Sequence, residues 1–212
     1  MRGLYPIVDV DTLQRRGISA LDFARSVLEA RPPLLQLRAK NLGAHDTLQL
    51  LRALRPLCSA AGTRLIANDR PDLALLAACD GVHIGQDDLP LGLVRKIAPN
   101  LLVGVSTHDE AQLAAALAEK PDYVAFGPIF GTASKENADP SVGVERLSAA
   151  YNAARAAGIP LVAIGGIDLT RARQIAVSCD VIAVIAALLP SASDVQECAQ
   201  RAREFSQAVA KQ

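Results

Sequence analysis

The segment YVAFGPIFGTASK, residues 123–135, begins as an apolar run and then changes character. Its first part is typical of a buried strand in a parallel sheet. Its second part contains glycine, two hydroxyl side chains and a lysine. A surface turn requires glycine or proline, but it does not require Thr132, Ser134 and Lys135 together. We therefore interpret the end of this segment as one wall of a phosphate-rich active site.

The same succession recurs along the chain: a short apolar run, a polar or glycine-containing break, and an amphipathic stretch rich in alanine and leucine. The apolar runs, which we predict to be strands, are residues 4–8, 34–37, 65–67, 81–84, 101–105, 123–126, 161–164 and 181–185. The predicted helices between them include residues 20–30, 47–61, 109–119, 144–157 and 194–210. Asp46 and Asp109 are plausible N-caps for two of these helices.

Strands that alternate with helices imply parallel pairing, because each helix returns the chain across the sheet. Eight such units in 212 residues predict an α/β fold, a (β/α)8 or TIM barrel. A doubly wound open sheet is the alternative, since the number of strands read from one sequence is uncertain by at least one. No linker or low-complexity segment indicates a second domain, so we predict a single domain over residues 1–212.

The overall charge and composition argue against two classes of partner. The chain has 22 basic and 22 acidic residues, which gives no electrostatic reason to expect nucleic acid or an anionic membrane surface. Aromatic residues make up only 3% and tryptophan is absent, so stacking platforms for single-stranded nucleic acid are lacking. We expect small-molecule substrates as partners, and the sequence is compatible with a homo-oligomer.

The cysteines and the N-terminus indicate a reducing compartment. The four cysteines lack the spacing of a zinc site and lie in apolar or helix-like stretches, which is typical of buried reduced thiols. The first residues do not resemble a signal peptide, and no apolar run reaches the ~18 residues of a membrane span. The expected location is cytoplasmic.

Polar side chains follow several predicted strands, at the end of a barrel where the chemistry is expected. In QLRAK, residues 36–40, the side chains of Gln36, Arg38 and Lys40 alternate, so an extended segment directs all three to one face. A guanidinium beside an ammonium suits a multiply charged anion such as diphosphate. The alternative is a strand end with solvated charges.

Carboxylates follow the next two predicted strands. Asn68 and Asp69 come after residues 65–67, and Asp87 and Asp88 come after residues 81–84. Adjacent side chains of an extended segment face opposite ways, so one of Asp87 and Asp88 is expected to enter the site. Two aspartates from different strand ends opposite an Arg/Lys pair are what a diphosphate-bound Mg²⁺ requires. The alternative for Asp69 is an N-cap of the following helix.

Three further positions have both a functional and a structural interpretation. Ser106 either donates to a phosphate oxygen or helps to start the next helix. His83, inside an apolar strand, is best explained as a core histidine with satisfied hydrogen bonds, and contact with a bound ring is the alternative. Gly165 and Gly166 form either a tight turn or a backbone phosphate site after the seventh strand.

Taken in order, these segments resemble the family of thiamine phosphate synthases and thiazole tautomerases. The resemblance spans nearly the whole chain, from LYPIVD to VIAVIAALL. Its most specific parts are QLRAK, ND, GVHIGQDDLP, GVSTH, FGPIFGTASK and AIGGI, which occur in the order of the family.

The resemblance implies the condensation of 4-amino-2-methyl-5-hydroxymethylpyrimidine diphosphate with a thiazole phosphate, which yields thiamine phosphate and diphosphate. It implies that the pyrimidine diphosphate is held by Gln36, Arg38, Lys40, Asn68, Ser106 and Lys135. It assigns Mg²⁺ to Asp69 and Asp88, and the thiazole phosphate to Thr132, Ser134, Gly165, Gly166, Ile185 and Ala186. The catalytic candidates are Arg38, Lys40, Lys135 and Ser106.

The sequence departs from the family pattern at a few positions, which keeps other functions open. The family usually has Thr where Ser134 stands, and commonly Pro and Ser where Gly131 and Ala186 stand. Some thiazole tautomerases carry His at the position of Pro128, so this proline disfavours proton transfer there. A tautomerase and a non-catalytic thiamine-precursor-binding barrel are the two alternatives to the synthase.

Overall fold

The computed structural model of the protein describes residues 1–131, 140–191 and 195–210. Eight parallel strands pair in chain order, and β1 pairs with β8 as well as with β2, so the sheet closes into a barrel. The strands are β1 (Gly3–Asp9), β2 (Leu34–Arg38), β3 (Arg64–Asn68), β4 (Gly81–Ile84), β5 (Leu102–Thr107), β6 (Tyr123–Phe126), β7 (Leu161–Ile164) and β8 (Val181–Val184). The predicted TIM barrel is confirmed, and the doubly wound open sheet is wrong.

Helices lie between the strands and cover the outside of the barrel. Those described are α1 (Val10–Arg15), α2 (Ala20–Leu28), α3 (Ala44–Ala61), α4 (Pro71–Leu76), α5 (Leu91–Ile97), α6 (Glu110–Glu119), α7 (Gly143–Ala156), α8 (Leu169–Ile175) and α9 (Val195–Ala210), with short 3-10 helices at Ala176–Ser178 and Ala186–Leu188. None of the helices in this part of the chain is long and apolar enough to cross a membrane.

The two predicted N-caps had different outcomes. Asp109 caps α6, where its carboxylate accepts a hydrogen bond from the N–H of Gln112 at 2.8 Å. Asp46 is not an N-cap, because α3 begins three residues earlier than predicted, with Gly43 at the N-cap position. Asp46 lies instead in the first turn, where its negative charge interacts favourably with the positive end of the helix dipole.

Aspartate carboxylates accept backbone hydrogen bonds at the end of the barrel where the strands begin. The residues immediately before β4, β6 and β8 are aspartates, and each accepts a hydrogen bond from a backbone N–H at the start of the preceding strand. The pairs are Leu65 with Asp80 at 2.7 Å, Val103 with Asp122 at 2.8 Å, and Leu161 with Asp180 at 2.9 Å. These bonds provide acceptors for backbone N–H groups at the starts of the strands, so we assign these three aspartates a structural role.

The cysteine thiols in the core are unreactive. Cys58, Cys79, Cys179 and Cys198 are buried, as the sequence predicts. Burial raises the pKa of Cys58, Cys79 and Cys179 to about 12, so these three remain protonated at neutral pH.

Two tyrosines fill part of the barrel interior. Tyr5 and Tyr123 are fully buried and meet edge to face, with ring centroids 6.0 Å apart. They pack with aliphatic side chains such as Ile7 and Ile66 in a cluster that is separate from the core between strands and helices. The tyrosines fit because Gly104 on β5 leaves space for the ring of Tyr123: a Cβ on Gly104 would lie 2.0 Å from Tyr123 Cζ.

The contact between Gly104 and the ring of Tyr123 leaves no space for a larger residue at position 104. Gly104→Ala should destabilise the fold by about 3 kcal/mol, since neither the strand nor the buried ring can move aside without loss of packing. Gly92→Ala is the matched control: a Cβ there, on α5, has no heavy atom within 4 Å, and the change should be neutral or stabilise by up to ~1 kcal/mol. Urea unfolding of both variants tests this, and equal midpoints would contradict the packing described.

Candidate active site

The carboxyl ends of β1 to β5 bring charged and polar side chains to one rim of the barrel. β1 ends at Asp9, β2 at Arg38 and β3 at Asn68. Asp88 follows β4, and Ser106 is the last residue but one of β5, so it belongs to the strand and does not start the next helix. These strands are neighbours in the closed barrel, so residues that are far apart in the chain lie close together. The arrangement has both signs of charge within a few ångströms.

The clearest cluster consists of two aspartates and a lysine. Lys40 Nζ pairs with Asp69 Oδ2, and the side chain of Asp88 lies within hydrogen-bonding reach of Asp69. The pKa of Asp88 is raised by its burial and by the neighbouring Asp69 carboxylate, while the N–H of Gly85, 2.7 Å away, and the Lys40 ammonium act in the opposite direction. Asp87 is exposed to solvent. Two carboxylates held side by side in this way favour a shared cation.

The backbone of Asp69 explains how its side chain reaches this cluster. Asp69 adopts a φ of 62°, a left-handed conformation that is costly for a residue other than glycine. Its N–H donates to the carbonyl of His83 at 2.8 Å, which ties the turn to β4. The alternative interpretation of Asp69 as a helix N-cap is wrong, because Arg70 occupies that position of α4. The carboxylate turns towards Lys40 instead.

The donor set suits Mg²⁺ better than a transition metal. Among the described residues no group of three or more His, Cys, Asp or Glu side chains could hold a metal ion. The paired oxygens of Asp69 and Asp88 are hard ligands, and Mg²⁺ takes one or two carboxylates together with water and substrate phosphate. The residues present therefore fit a Mg²⁺ ion that is completed by a diphosphate.

Asp9 is a member of the site that the sequence interpretation missed. It is 2% exposed, accepts from Arg38 Nη1 at 2.5 Å, and also caps α1 by accepting from the N–H of Thr12 at 2.9 Å. These two bonds hold the carboxylate still, so Asp9 fixes the direction of the Arg38 guanidinium. The signal was available, because Asp9 directly follows the apolar run at residues 4–8.

Below the rim, five polar side chains form a hydrogen-bonded chain through the barrel interior. Gln36 Nε2 donates to Tyr5 Oη at 2.9 Å, and Tyr5 Oη lies 3.0 Å from Tyr123 Oη. His83 stacks on Tyr123, with its Nδ1 3.1 Å from the tyrosine hydroxyl and its Nε2 2.8 Å from Ser106 Oγ. The prediction of His83 as a satisfied core histidine is confirmed. Sequence reasoning missed both tyrosines, since it read them as apolar core.

The glycine pair after β7 allows two loops to meet. Gly165 and Gly166 have φ values of 101° and 62°. A Cβ on Gly165 would lie 2.4 Å from Pro128 Cβ, and one on Gly166 would lie 2.4 Å from the carbonyl oxygen of Gly131. The pair is therefore required both for its backbone conformation and for its contact with the loop after β6.

The end of β8 presents backbone at the same rim. Ile185 follows β8, and Ala186 is exposed at the start of the 3-10 helix Ala186–Leu188. Thr132, Ser134 and Lys135, the remaining predicted site residues, lie outside the described residues.

The sequence matches a known family over most of its length. The family described as thiamine monophosphate synthase covers residues 4–188. The chain belongs to this family. A thiamine-phosphate synthase from Methanoculleus marisnigri is 40% identical over 203 residues, which span 95% of this chain and 93% of that protein. Another from Koribacter versatilis is 41% identical over 208 residues, 96% of this chain and 94% of the relative.

Solved structures agree with this membership of the thiamine monophosphate synthase family. A thiamine phosphate pyrophosphorylase from Pyrococcus furiosus superposes with a TM-score of 0.84 at 28% identity, covering 98% of this chain and 95% of that one. A 4-hydroxy-2-oxoglutarate aldolase superposes with a TM-score of 0.70 at 18% identity, covering 98% of this chain and 94% of the other, and this second likeness concerns the fold alone.

Proposed function

We propose that this protein condenses 4-amino-2-methyl-5-hydroxymethylpyrimidine diphosphate with a thiazole phosphate to give thiamine phosphate and diphosphate. The observation that supports this most strongly is the pair Asp69 and Asp88 beside Lys40, with Arg38 at the end of the neighbouring strand β2, at the rim of a barrel whose relatives are thiamine-phosphate synthases. The cytoplasmic location expected from the sequence belongs to the same proposal.

In this proposal the diphosphate of the pyrimidine substrate lies between Arg38 and Lys40, and Ser106 donates to one of its oxygens. Gln36, which is buried below the rim, contacts the pyrimidine end, and Asn68 belongs to the same substrate site. Lys135, which lies outside the described residues, is assigned to the same substrate. Arg38 is well suited, because Asp9 holds its guanidinium in one orientation while leaving other N–H donors for an anion. A planar donor that is already oriented loses little conformational entropy on binding.

Asp69 and Asp88 would hold Mg²⁺. When bound, the ion would neutralise part of the charge on the diphosphate as that group leaves. Lys40 would remain beside the same carboxylates, where its ammonium balances their charge and reaches the substrate side of the rim.

The reaction is a substitution in which the carbon–oxygen bond to the diphosphate breaks first. The bonding electrons leave with the diphosphate oxygen, and the resulting pyrimidinylmethyl cation is stabilised by its aminopyrimidine ring. The lone pair of the thiazole nitrogen then forms the new carbon–nitrogen bond. No side-chain nucleophile is needed, so the residues contribute electrostatic stabilisation of the leaving group and alignment of the two rings.

The thiazole phosphate would rest on backbone groups around Gly165, Gly166, Ile185 and Ala186, with Thr132 and Ser134 completing its site. The glycine pair holds the loop after β7 against the loop after β6, so both loops lie beside this proposed phosphate site. Pro128, which follows β6 at the position of a histidine in some tautomerases, has no group that could transfer a proton. This favours the synthase over the tautomerase.

One assay separates the synthase from both alternatives. Purified protein is mixed with the pyrimidine diphosphate, the thiazole phosphate and Mg²⁺, and both products are quantified. A synthase releases diphosphate and thiamine phosphate in equal amounts, whereas a tautomerase and a non-catalytic binding barrel release neither. Absence of both products, with the protein folded and both substrates intact, would refute the proposed function.

Ala186 provides a test of the thiazole phosphate site. Ala186→Ser should lower the KM for the thiazole phosphate about tenfold, because the exposed position after β8 gains a hydroxyl that can donate to phosphate. The KM for the pyrimidine diphosphate should stay unchanged in the same variant, which serves as the internal control. An unchanged KM for the thiazole phosphate would place that phosphate elsewhere.

A further inference from the structure

We propose that the interior chain (Gln36, Tyr5, Tyr123, His83 and Ser106) has one direction of proton donation, which couples recognition of the pyrimidine ring to recognition of the diphosphate. In this arrangement Tyr123 and His83 are positioning residues: they turn the proton of the Ser106 hydroxyl outwards, towards the diphosphate. The inference rests on the proposed function, since it uses the same substrate at both ends of the chain.

The direction follows from counting protons along the chain. Each hydroxyl has one proton to donate, and a neutral imidazole donates from one nitrogen and accepts at the other. Because Gln36 donates to Tyr5, the proton of Tyr5 is directed to Tyr123, and that of Tyr123 to His83 Nδ1. His83 then carries its proton on Nε2 and donates to Ser106 Oγ. The proton of Ser106 is left for an acceptor outside the chain.

The opposite direction would fit the substrate poorly at both ends. It requires the Gln36 amide to turn over, so that its NH2 group would face the pyrimidine and Ser106 would donate inwards to His83. Ser106 would then offer only lone pairs to the diphosphate, which is itself an acceptor. In the inferred direction the Gln36 oxygen is available for the exocyclic amine of the substrate, and Ser106 is a donor. Both substrate groups therefore select the same direction.

Burial in the barrel interior keeps the interior chain in one direction of proton donation. Gln36, Tyr5, Tyr123 and His83 are between 0 and 8% exposed, so water cannot easily replace a missing partner. Burial raises the pKa of both tyrosines well above the usual value, which keeps their hydroxyl protons in place. Loss of one hydroxyl in the middle of the chain therefore changes the direction in which the Ser106 hydroxyl donates, because each hydroxyl and the neutral imidazole have a single proton to donate.

The kinetic test removes one hydroxyl from the middle of the chain. Tyr123→Phe keeps the ring that stacks on His83, and it should lower kcat/KM for the pyrimidine diphosphate about tenfold, the loss expected when a hydrogen bond to a charged group is misdirected. Tyr151→Phe is the matched control, since its hydroxyl lies 3.4 Å from Asp180 at the other end of the barrel, and it should stay within twofold of wild type. Equal effects of the two changes would overturn the proposal.

A double variant separates positioning from a general structural role. In a Ser106→Ala background, Tyr123→Phe should change kcat/KM less than twofold, because the group through which it acts is gone. The same tenfold loss in both backgrounds would show that Tyr123 acts through packing, and would overturn the proposal. If wild-type protein forms no product, the proposed function fails first.

A spectroscopic test does not depend on turnover. Long-range ¹H–¹⁵N correlation spectra of ¹⁵N-labelled protein report which ring nitrogen of each of the three histidines carries the proton, and a His83→Gln variant assigns the His83 signals. We expect neutral His83 with its proton on Nε2. A proton on Nδ1, or an even mixture of both tautomers, would overturn the inferred direction.

Discussion

Asp88→Asn should lower kcat/KM at least about 100-fold, whereas Asp87→Asn should remain within twofold of wild type. The two changes are chemically identical and affect adjacent residues, but only Asp88 lies against Asp69, while Asp87 is exposed. An amide in place of the Asp88 carboxylate removes one of two charged ligands from the proposed Mg²⁺ site. The Mg²⁺ concentration for half-maximal rate should rise at least about tenfold in the Asp88 variant.

The stability of these variants distinguishes a lost ligand from a damaged fold. The pKa of Asp88 is raised in the folded protein, so the folded state favours the protonated form and the charged form at neutral pH opposes folding. Asparagine removes that charge, and Asp88→Asn should therefore unfold at an equal or higher urea concentration than wild type in the absence of Mg²⁺. An inactive variant that is also less stable would weaken the assignment of Asp88 as a ligand, as would equal activity of the Asp87 and Asp88 variants.

Arg38→Met should lower both the activity and the stability of the protein. Asp9 is 2% exposed and would lose its counter-charge, which should lower the free energy of unfolding by about 3 kcal/mol. Turnover should fall at least about 100-fold, because the oriented guanidinium of the diphosphate site is gone. Urea unfolding and steady-state kinetics on the same preparation measure the two losses.

The double variant Asp9→Asn/Arg38→Met separates these two roles of Arg38. Replacing the carboxylate removes the buried unpaired charge, and asparagine still caps α1 through the N–H of Thr12. Most of the lost stability should return, while turnover should stay as low as in Arg38→Met. Recovery of activity together with stability would show that Arg38 acts only as the structural partner of Asp9.

The barrel was predictable because the signal for it is local. Each strand appears in the sequence as a short apolar run, and β4, β6 and β7 have the predicted bounds. β2 and β3 extend by one or two residues into polar positions, since backbone pairing to neighbouring strands continues to Arg38 and Asn68. Asp46 was assigned as a cap because its residue type suits one, but the chain already turns at Gly43.

The site was predictable in part. The rule that polar residues follow each strand identified Arg38, Lys40, Asp69 and Asp88, yet it did not decide between the two interpretations of Asp69. That decision depends on its left-handed backbone and on Lys40, which lies 29 residues away. The interior chain could not be predicted from the sequence for the same reason. Tyr5 and Tyr123 are 118 residues apart, and only closure of the barrel brings their hydroxyls together.

In the proposed site, Asp69 and Asp88 share a divalent ion with a diphosphate that also contacts Arg38 and Lys40. A crystal structure of the protein with Mg²⁺, thiamine phosphate and diphosphate tests it most directly. We predict one Mg²⁺ ion at about 2.0–2.1 Å from oxygens of both aspartates and of the diphosphate, with Arg38 and Lys40 against the remaining diphosphate oxygens. Diphosphate bound away from this rim, or a metal ion without either aspartate as ligand, would contradict the account.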